Sequence, residues 1–261
     1  MIVKQKEKKK AKFRVSFLFL FIFASFAVCF VLYMKEDFEI TSDMIDSAEE
    51  AVVYIEPLDY GSTIVNPVPK SERAEEDHYS DAVFIGSTSL AGLSDYKYVK
   101  SDNMLLSDSI TLGNFNTVVL SAGGVESSIS DAVARKKAGK IYIMVGIDDL
   151  DSLSSGDPFS ELEDFIESVK ETNPDVKIYL MSLLPVTSEN ESRIALNSDV
   201  DIYNSRLLEF ANKMNVFYLD VSTGFKGNDG KLPASYTEIN GIRLKKSGYE
   251  QLSEYILTHI G

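Results

Sequence analysis

Short apolar runs alternate with segments of helical periodicity from residue 81 to the end of this 261-residue chain. Runs of four to six residues rich in Val, Ile and Leu are typical of strands buried on both faces. Strands that alternate with helices indicate a parallel sheet covered by helices on both sides. The sequence therefore predicts a three-layer α/β/α domain built on a five-stranded parallel sheet. The strand candidates are 81–85, 117–120, 141–145, 176–181 and 216–219.

Three helices are predicted between and after these strands. One begins at Pro158, and the others span about 202–215 and 247–260. Ligands of parallel sheets bind beyond the carboxyl ends of the strands, so the residues that follow each strand are the candidate site residues. The apolar residues that repeat at helical spacing are Leu162, Phe165, Ile166, Val169, Leu207, Leu208, Ala211, Tyr249, Leu252, Tyr255 and Ile256.

The N-terminal segment has the pattern of a membrane anchor. Residues 15–34 are twenty consecutive residues without a charge, which as a helix would span about 30 Å, the thickness of a bilayer core. Residues 1–14 contain seven basic residues and one acidic residue, which places the N-terminus inside the cell. The pattern predicts a single-pass protein with its C-terminal domain outside. A cleaved signal peptide is the alternative, with a weak cleavage site at 25–27.

The segment between the anchor and the sheet domain is predicted to be an extracellular linker over 35–77. It holds three of the seven prolines of the chain and an acidic run at 72–77. The predicted organisation is therefore a basic tail at 1–14, an anchor at 15–34, this linker, and a domain over 78–261.

Composition excludes several classes of function. A net charge of -14 argues against nucleic-acid binding, which needs Lys and Arg to neutralise phosphates. The single Cys29 permits no intrachain disulfide and no cysteine-based metal site. Two His residues leave no basis for a multi-His site. We expect no cofactor and no metal.

Three stretches beyond the strand ends occur in a recognisable order. They are Gly86-Ser87-Thr88-Ser89 after the first strand, Gly146-Ile147-Asp148-Asp149 after the third, and Asn240-Gly241-Ile242-Arg243 ahead of the last helix. Together they resemble the SGNH (GDSL-type) hydrolase family over roughly residues 79–260. The resemblance implies a flavodoxin-like arrangement of the five-stranded sheet. It also implies an activity that removes or transfers acyl groups, often acetyl groups on carbohydrates.

The resemblance places the family's nucleophile and oxyanion-hole positions on this chain. The family's Gly-Asp-Ser falls on residues 86–88, so Thr88 takes the place of the nucleophile and Ser87 that of Asp. The family's Gly-x-Asn-Asp puts Asp148 where an oxyanion-hole Asn stands. An ionised carboxylate there repels the charge that a hydrogen-bond donor stabilises.

The remaining family positions also differ. The family's Asp-x-x-His falls on 240–243, so Asn240 replaces the acid and Arg243 replaces the base. Arginine stays protonated at neutral pH and cannot accept a proton from a hydroxyl. The glycine that follows the second strand is retained as Gly123 or Gly124.

These replacements predict a non-catalytic family member at the cell surface, and the resemblance together with the anchor suggests a Gram-positive bacterium. The expected role is to bind a cell-wall glycan or acylated polymer, or to assist a membrane acyltransferase. The alternative is an active esterase with a rearranged site, in which a hydroxyl of Thr88, Ser87 or Ser89 would attack, with Asp148, Asp149 or Glu238 as base. A further alternative is a structural spacer.

Overall fold

The computed structural model describes residues 64–122, 124–153, 157–191, 193–238 and 243–261. Within these ranges, no helix is long and apolar enough to span a membrane. The predicted basic tail, the predicted anchor and residues 35–63 of the predicted linker lie outside the described residues, and they remain predictions.

The predicted parallel sheet is confirmed, with five strands in the order β2-β1-β5-β6-β7. If its strands are counted along the chain, this order is 2-1-3-4-5, the flavodoxin-like arrangement. Helices lie on both faces of the sheet, so the predicted three-layer α/β/α fold is also confirmed. The strands of the domain are β1 Ala82–Gly86, β2 Met104–Leu106, β3 Val119–Ala122, β4 Val125–Ser128, β5 Lys140–Met144, β6 Lys177–Met181 and β7 Phe217–Leu219.

The second predicted strand is wrong in its position. The predicted run 117–120 overlaps β3, which pairs antiparallel with β4 in a separate two-stranded hairpin. The second strand of the parallel sheet is β2, which pairs with β1. In β3, Leu120 is buried while Val119 is 62% exposed, which is the alternation of a hairpin with one covered face.

The three predicted helices are present with shifted ends. The helix predicted at Pro158 begins two residues later, and the one predicted at 202–215 begins at Asn197 because a further turn, including Val200, is buried. Short 3-10 turns lie in several of the segments that connect these elements. The helices are α1 Gly92–Asp95, α2 Ile129–Lys136, α3 Ser160–Thr172, α4 Asn197–Met214, α5 Val221–Phe225 and α6 Lys246–Leu257.

A row of aromatic rings crosses the sheet and fixes the pairing of its strands. Phe84, Tyr142, Tyr179 and Phe217 come from β1, β5, β6 and β7, and neighbouring rings stack with centroids 4.7, 4.7 and 4.8 Å apart. Three of the four rings are fully buried. Stacked aromatic pairs add to the stabilisation from burial, so this row helps to hold the strands in register.

His78 precedes β1 and gives the domain a predicted pH dependence. Its Nε2 lies 2.9 Å from the Tyr142 hydroxyl, and burial, with Lys140 nearby, lowers the pKa of His78 below its ordinary value. A lowered pKa in the folded state means that the unfolded chain binds the proton first as the pH falls below about 6.5. The contribution of neutral His78 to the free energy of unfolding, which is complete above that pH, is therefore lost as the pH falls towards the pKa of His78 in the folded state.

The expected result is that the free energy of unfolding falls more between pH 7.5 and pH 5.5 in the wild type than in His78→Gln. Urea unfolding at the two pH values measures it. The control is Val65→Ala, a change at an exposed residue that does not titrate; this variant keeps His78 and should lose stability between the two pH values as the wild type does. Equal losses in the wild type and His78→Gln would contradict the assignment.

Residues 64–74, hereafter the strap, lie first along the outer edge of β7 and then against the C-terminal end of α6, where the amides of Ser71 and Ala74 donate to backbone carbonyls. The Asn66 side chain pairs with that edge as a backbone would: its Nδ2 donates to the Val216 carbonyl at 2.9 Å, and its Oδ1 accepts from the Tyr218 amide at 2.7 Å. Val68 is buried and donates its amide to the Tyr218 carbonyl at 2.9 Å. Residues from 64 onward, which the sequence analysis assigned to the linker, are thus part of the domain.

Candidate functional site

A cavity of about 410 Å³ lies at the carboxyl ends of the central strands. Its walls come from the residues that follow β1, β2, β5 and β6 and from the segment that leads into α6. This is the edge of the sheet at which the sequence predicts ligand binding. The cavity is within the size range of small-molecule sites.

The chain leaves β1 through a tight turn that requires glycine. A Cβ on Gly86 would lie 2.4 Å from the Met144 carbonyl oxygen of the neighbouring β5. The turn is then closed by two hydroxyls, because Ser87 Oγ accepts from the Ser89 amide at 3.3 Å and lies 2.6 Å from Ser89 Oγ. This arrangement caps the 3-10 turn Thr88–Leu90 and turns Thr88 outward to the cavity.

Thr88 is bonded to a carboxylate that the sequence analysis did not consider. The Thr88 amide donates to Asp108 Oδ1 at 2.8 Å, and the Thr88 hydroxyl lies 2.8 Å from each carboxylate oxygen of Asp108. Asp108 follows β2 and is exposed at the cavity wall. Its carboxylate therefore engages both the amide and the hydroxyl of Thr88, the residue predicted to take the nucleophile's place.

The turn after β5 is shaped by a buried tyrosine. Gly146 has φ +111°, and a Cβ there would lie 2.4 Å from the ring of Tyr203. The Tyr203 hydroxyl donates to the Val145 carbonyl at 2.7 Å. Gly146 is thus required both by its backbone conformation and by the approach of the ring. The turn places Asp148 at the cavity wall, exposed.

Asp149, unlike Asp148, does not line the cavity but bonds to the backbone of a neighbouring loop. Its Oδ2 accepts from the Leu112 amide at 2.9 Å, which ties the loop after β2 to the turn after β5. Burial raises the pKa of the Asp149 carboxyl, while the backbone amides of Leu112 and Gly113 act in the opposite direction. Since the anchored loop also carries Asp108, Asp149 indirectly supports the contact between Asp108 and Thr88.

Two buried asparagines hold the loop after β6, which forms one wall of the cavity. Asn204 accepts from the Leu183 amide at 2.8 Å, and Asn197 accepts from the Val186 amide at 2.9 Å. Both lie on α4 and each also donates back to the carbonyl of the residue it holds. The loop after β6, which supplies Leu183 to Val186 to the cavity, is therefore rigidly placed.

Arg243 stands at the cavity wall within a polar cluster. Its Nη2 donates to Asp95 Oδ2 at 2.9 Å, and its guanidinium also bonds the hydroxyl of Tyr249. Tyr249 in turn donates to the Ser89 carbonyl at 2.5 Å. The Tyr249 and Asp95 bonds raise the pKa of Arg243, which keeps the guanidinium protonated. Arg243 therefore cannot serve as a base.

The structure brings most of the predicted site residues together. Thr88, Ser87, Asp148 and Arg243 all line the cavity. Gly124 does not line the cavity. It lies in the turn of the β3–β4 hairpin with φ +80°, because the strand that precedes it is part of the hairpin and not of the parallel sheet. Gly123 and Asn240 lie outside the described residues, so their predicted roles stay predictions.

Of the three carboxylates considered as alternative bases, Asp148 lines the cavity and the other two do not. Asp149 accepts from the Leu112 amide, and Glu238 lines a separate groove of about 620 Å³ that shares only Leu232 with the cavity. The carboxylate that contacts Thr88 is Asp108. The sequence holds only a weak indication that Asp108 belongs to the site. Ser107 and Asp108 follow the run 104–106, which is too short to be recognised as a strand.

The sequence of the domain matches a family model over residues 108–251, described as the GDSL-like lipase/acylhydrolase family. The chain belongs to this family. The resemblance to SGNH (GDSL-type) hydrolases is therefore confirmed. A search of curated proteins found no match.

Solved structures of GDSL-type proteins have a similar fold. A Streptococcus pneumonia protein described as a platelet activating factor is 21% identical, with a TM-score of 0.53 over 67% of this chain and 81% of that one. A lipolytic protein of the G-D-S-L family from Desulfitobacterium hafniense is 16% identical, with a TM-score of 0.51 over 69% of this chain and 98% of that one. At such identities the likeness shows the fold alone.

Proposed function

We propose that this family member does not hydrolyse esters and that its cavity binds an acylated ligand. The observation that carries the proposal is the bonding of the Arg243 guanidinium. Arg243 takes the place of the family's base, and its bonds to Asp95 and Tyr249 keep it protonated. A hydroxyl nucleophile without a base remains a weak nucleophile.

The contact between Thr88 and Asp108 supports the same conclusion. In acyl transfer, donors must point at the oxygen that becomes negative in the transition state. Here the Thr88 amide already donates to the Asp108 carboxylate at 2.8 Å. A substrate oxyanion at this position would meet a negatively charged group, and Asp148 adds a second one nearby on the cavity wall. Both carboxylates therefore repel the negative charge that develops on the substrate oxygen during ester hydrolysis.

The lining of the cavity favours an acyl group over a bare glycan. Beyond its polar end, the described lining is aliphatic and contains no aromatic ring, whereas stacking on aromatic rings would suit the flat faces of sugars. Apolar walls of this kind gain free energy from burying a hydrocarbon group. An acylated polymer of the cell wall therefore fits better than an unmodified glycan. The aliphatic residues of the lining are Leu90, Ile110, Met144, Val145, Ile147, Leu183, Leu184, Val186, Ile194, Leu232, Leu244 and Leu252.

The proposed location follows from the predicted anchor. A span at 15–34 with a basic N-terminus inside would hold the domain on the outer face of the membrane, next to the cell wall. In that position the domain would retain an acylated polymer or present it to a membrane acyltransferase. A Gram-positive host is part of this proposal.

A second candidate function rests on the same pair of residues. A carboxylate 2.8 Å from a hydroxyl has the spacing of a general base and its nucleophile. Asp108 and Thr88 would then form a minimal esterase site. The exposure of Asp108 argues against this candidate, because an active site that excludes water strengthens the electrostatic interactions that catalysis uses.

Turnover of activated short-chain esters by the full-length protein separates the two candidates. We expect release of the alcohol at the uncatalysed rate, unchanged in Thr88→Ala and Asp108→Asn. Turnover that both substitutions abolish, with the fold intact by circular dichroism, would establish the esterase and overturn our proposal. An active family member assayed in parallel confirms that the substrates are competent.

A further inference from the structure

Several hydrogen-bond donors at the polar end of the cavity are engaged within the protein. The Thr88 amide and hydroxyl both bond to Asp108, and the Ser89 amide bonds to Ser87 Oγ. The hydroxyls of Ser87 and Ser89 lie 2.6 Å apart and share one hydrogen bond. To bond with the donors of residues 87–89, a ligand that offers only acceptor oxygens, such as an ester, a carboxylate or a phosphate, would have to break these bonds.

The same end of the cavity offers acceptor oxygens. Asp108 and Asp148 are exposed and both line the wall, and an ionised carboxylate accepts hydrogen bonds at about four lone-pair positions. The cation at this end is Arg243, whose charge is offset by Asp95 at 2.9 Å. The polar end therefore has an excess of negative charge and of acceptors.

We propose that the cavity binds a primary ammonium group carried on a short aliphatic chain. The ammonium has three donors and no acceptor, which matches the carboxylates of Asp108 and Asp148. The aliphatic walls, such as Met144 and Leu183, cover the hydrocarbon part. This inference rests on the proposed function and names its ligand class: the acyl group that is recognised bears an amine.

Three probes of matched length test the inference: butylamine, butyrate and butan-1-ol. They are titrated into the full-length protein in detergent, with the methionines labelled by ¹³C at the methyl group. Met144 lines the cavity and reports binding there, and Met144→Leu assigns its signal. Met214, on the last turn of α4, does not line the cavity and serves as an internal reference for effects of the detergent.

We expect butylamine to shift the Met144 signal with a dissociation constant about tenfold below that of butan-1-ol, the factor that one charge-assisted hydrogen bond typically gives. Butyrate should bind more weakly than either. In Asp108→Asn the advantage of butylamine should disappear. Asn keeps the shape of Asp108 and an oxygen for the Thr88 amide, so the turn is preserved. Asp148→Asn should reduce the advantage in the same direction.

The matched control is Asp102→Asn, which removes an exposed carboxylate outside the cavity and should leave all three titrations unchanged. Tighter binding of butyrate, or equal binding of amine and alcohol, would overturn the inference. A Met144 signal that no probe moves would overturn it as well. Ester turnover by the same sample would instead overturn the proposed function, so the two failures are distinguishable.

Discussion

Removal of the strap is expected to destabilise the domain by about 3 kcal/mol. Burial of Val68 contributes about 2 kcal/mol, and each hydrogen bond from the strap to β7 contributes about 1 kcal/mol. The conformational entropy regained by the freed residues offsets part of this sum. Chemical unfolding of chains that begin at residue 64 and at residue 75 measures the difference.

The strap also covers the edge of β7, which is the last strand of the sheet. Without the strap, unpaired amides and carbonyls of this edge become a template for pairing with another chain. We therefore expect the shorter chain to associate at concentrations where the longer one is monomeric, as seen by light scattering.

A point variant isolates the contribution of one side chain within the strap. Asn66→Ala removes both bonds to the edge and should cost about 1–3 kcal/mol. Val65→Ala, which alters a residue that is 66% exposed, is the matched control and should leave stability within about 0.5 kcal/mol. Equal stability of the two variants would contradict the role given to Asn66.

Gly146→Ala is expected to destabilise the domain by more than about 3 kcal/mol. The substitution adds strain at a positive φ, typically about 1–3 kcal/mol, and forces an overpacked contact with Tyr203, typically about the same again. Because the turn also places Asp148 and Asp149, the change should reach the cavity. The loss is measured by urea unfolding at neutral pH.

Gly113→Ala is the matched control for this prediction. A Cβ at Gly113 meets no atom within 4 Å, and its φ lies outside the left-handed range. We expect its free energy of unfolding to change by no more than about 0.5 kcal/mol. A Gly146→Ala variant as stable as Gly113→Ala would show that the turn after β5 tolerates a side chain and would contradict the geometry described for it.

Where local burial decides the structure, the sequence predicted it well. β1, β5, β6 and β7 are buried runs whose composition is legible without knowledge of the fold. β2 was missed because it has three residues, of which only Leu105 is fully buried, so its hydrophobic signal is too short.

The missed parts of the site depend on contacts between distant residues. Asp108 reaches Thr88 because β2 and β1 are neighbours in the sheet, and the pairing of β2 was not evident. Arg243 reaches Asp95 across 148 residues of chain, and Asn66 reaches Tyr218 across 152. Motif spacing located Thr88, Asp148 and Arg243 at one cavity, but it contains no information on which side chains bond to one another.

The most direct test of the central claim is to treat the full-length chain with a serine-directed fluorophosphonate and to measure the intact mass. This reagent modifies hydroxyls that a neighbouring base activates. The account predicts an unmodified mass, while an active family member treated in parallel is fully labelled. A stoichiometric adduct mapped to Thr88, Ser87 or Ser89 would show that an activated hydroxyl persists, and it would contradict the account of a non-hydrolytic cavity.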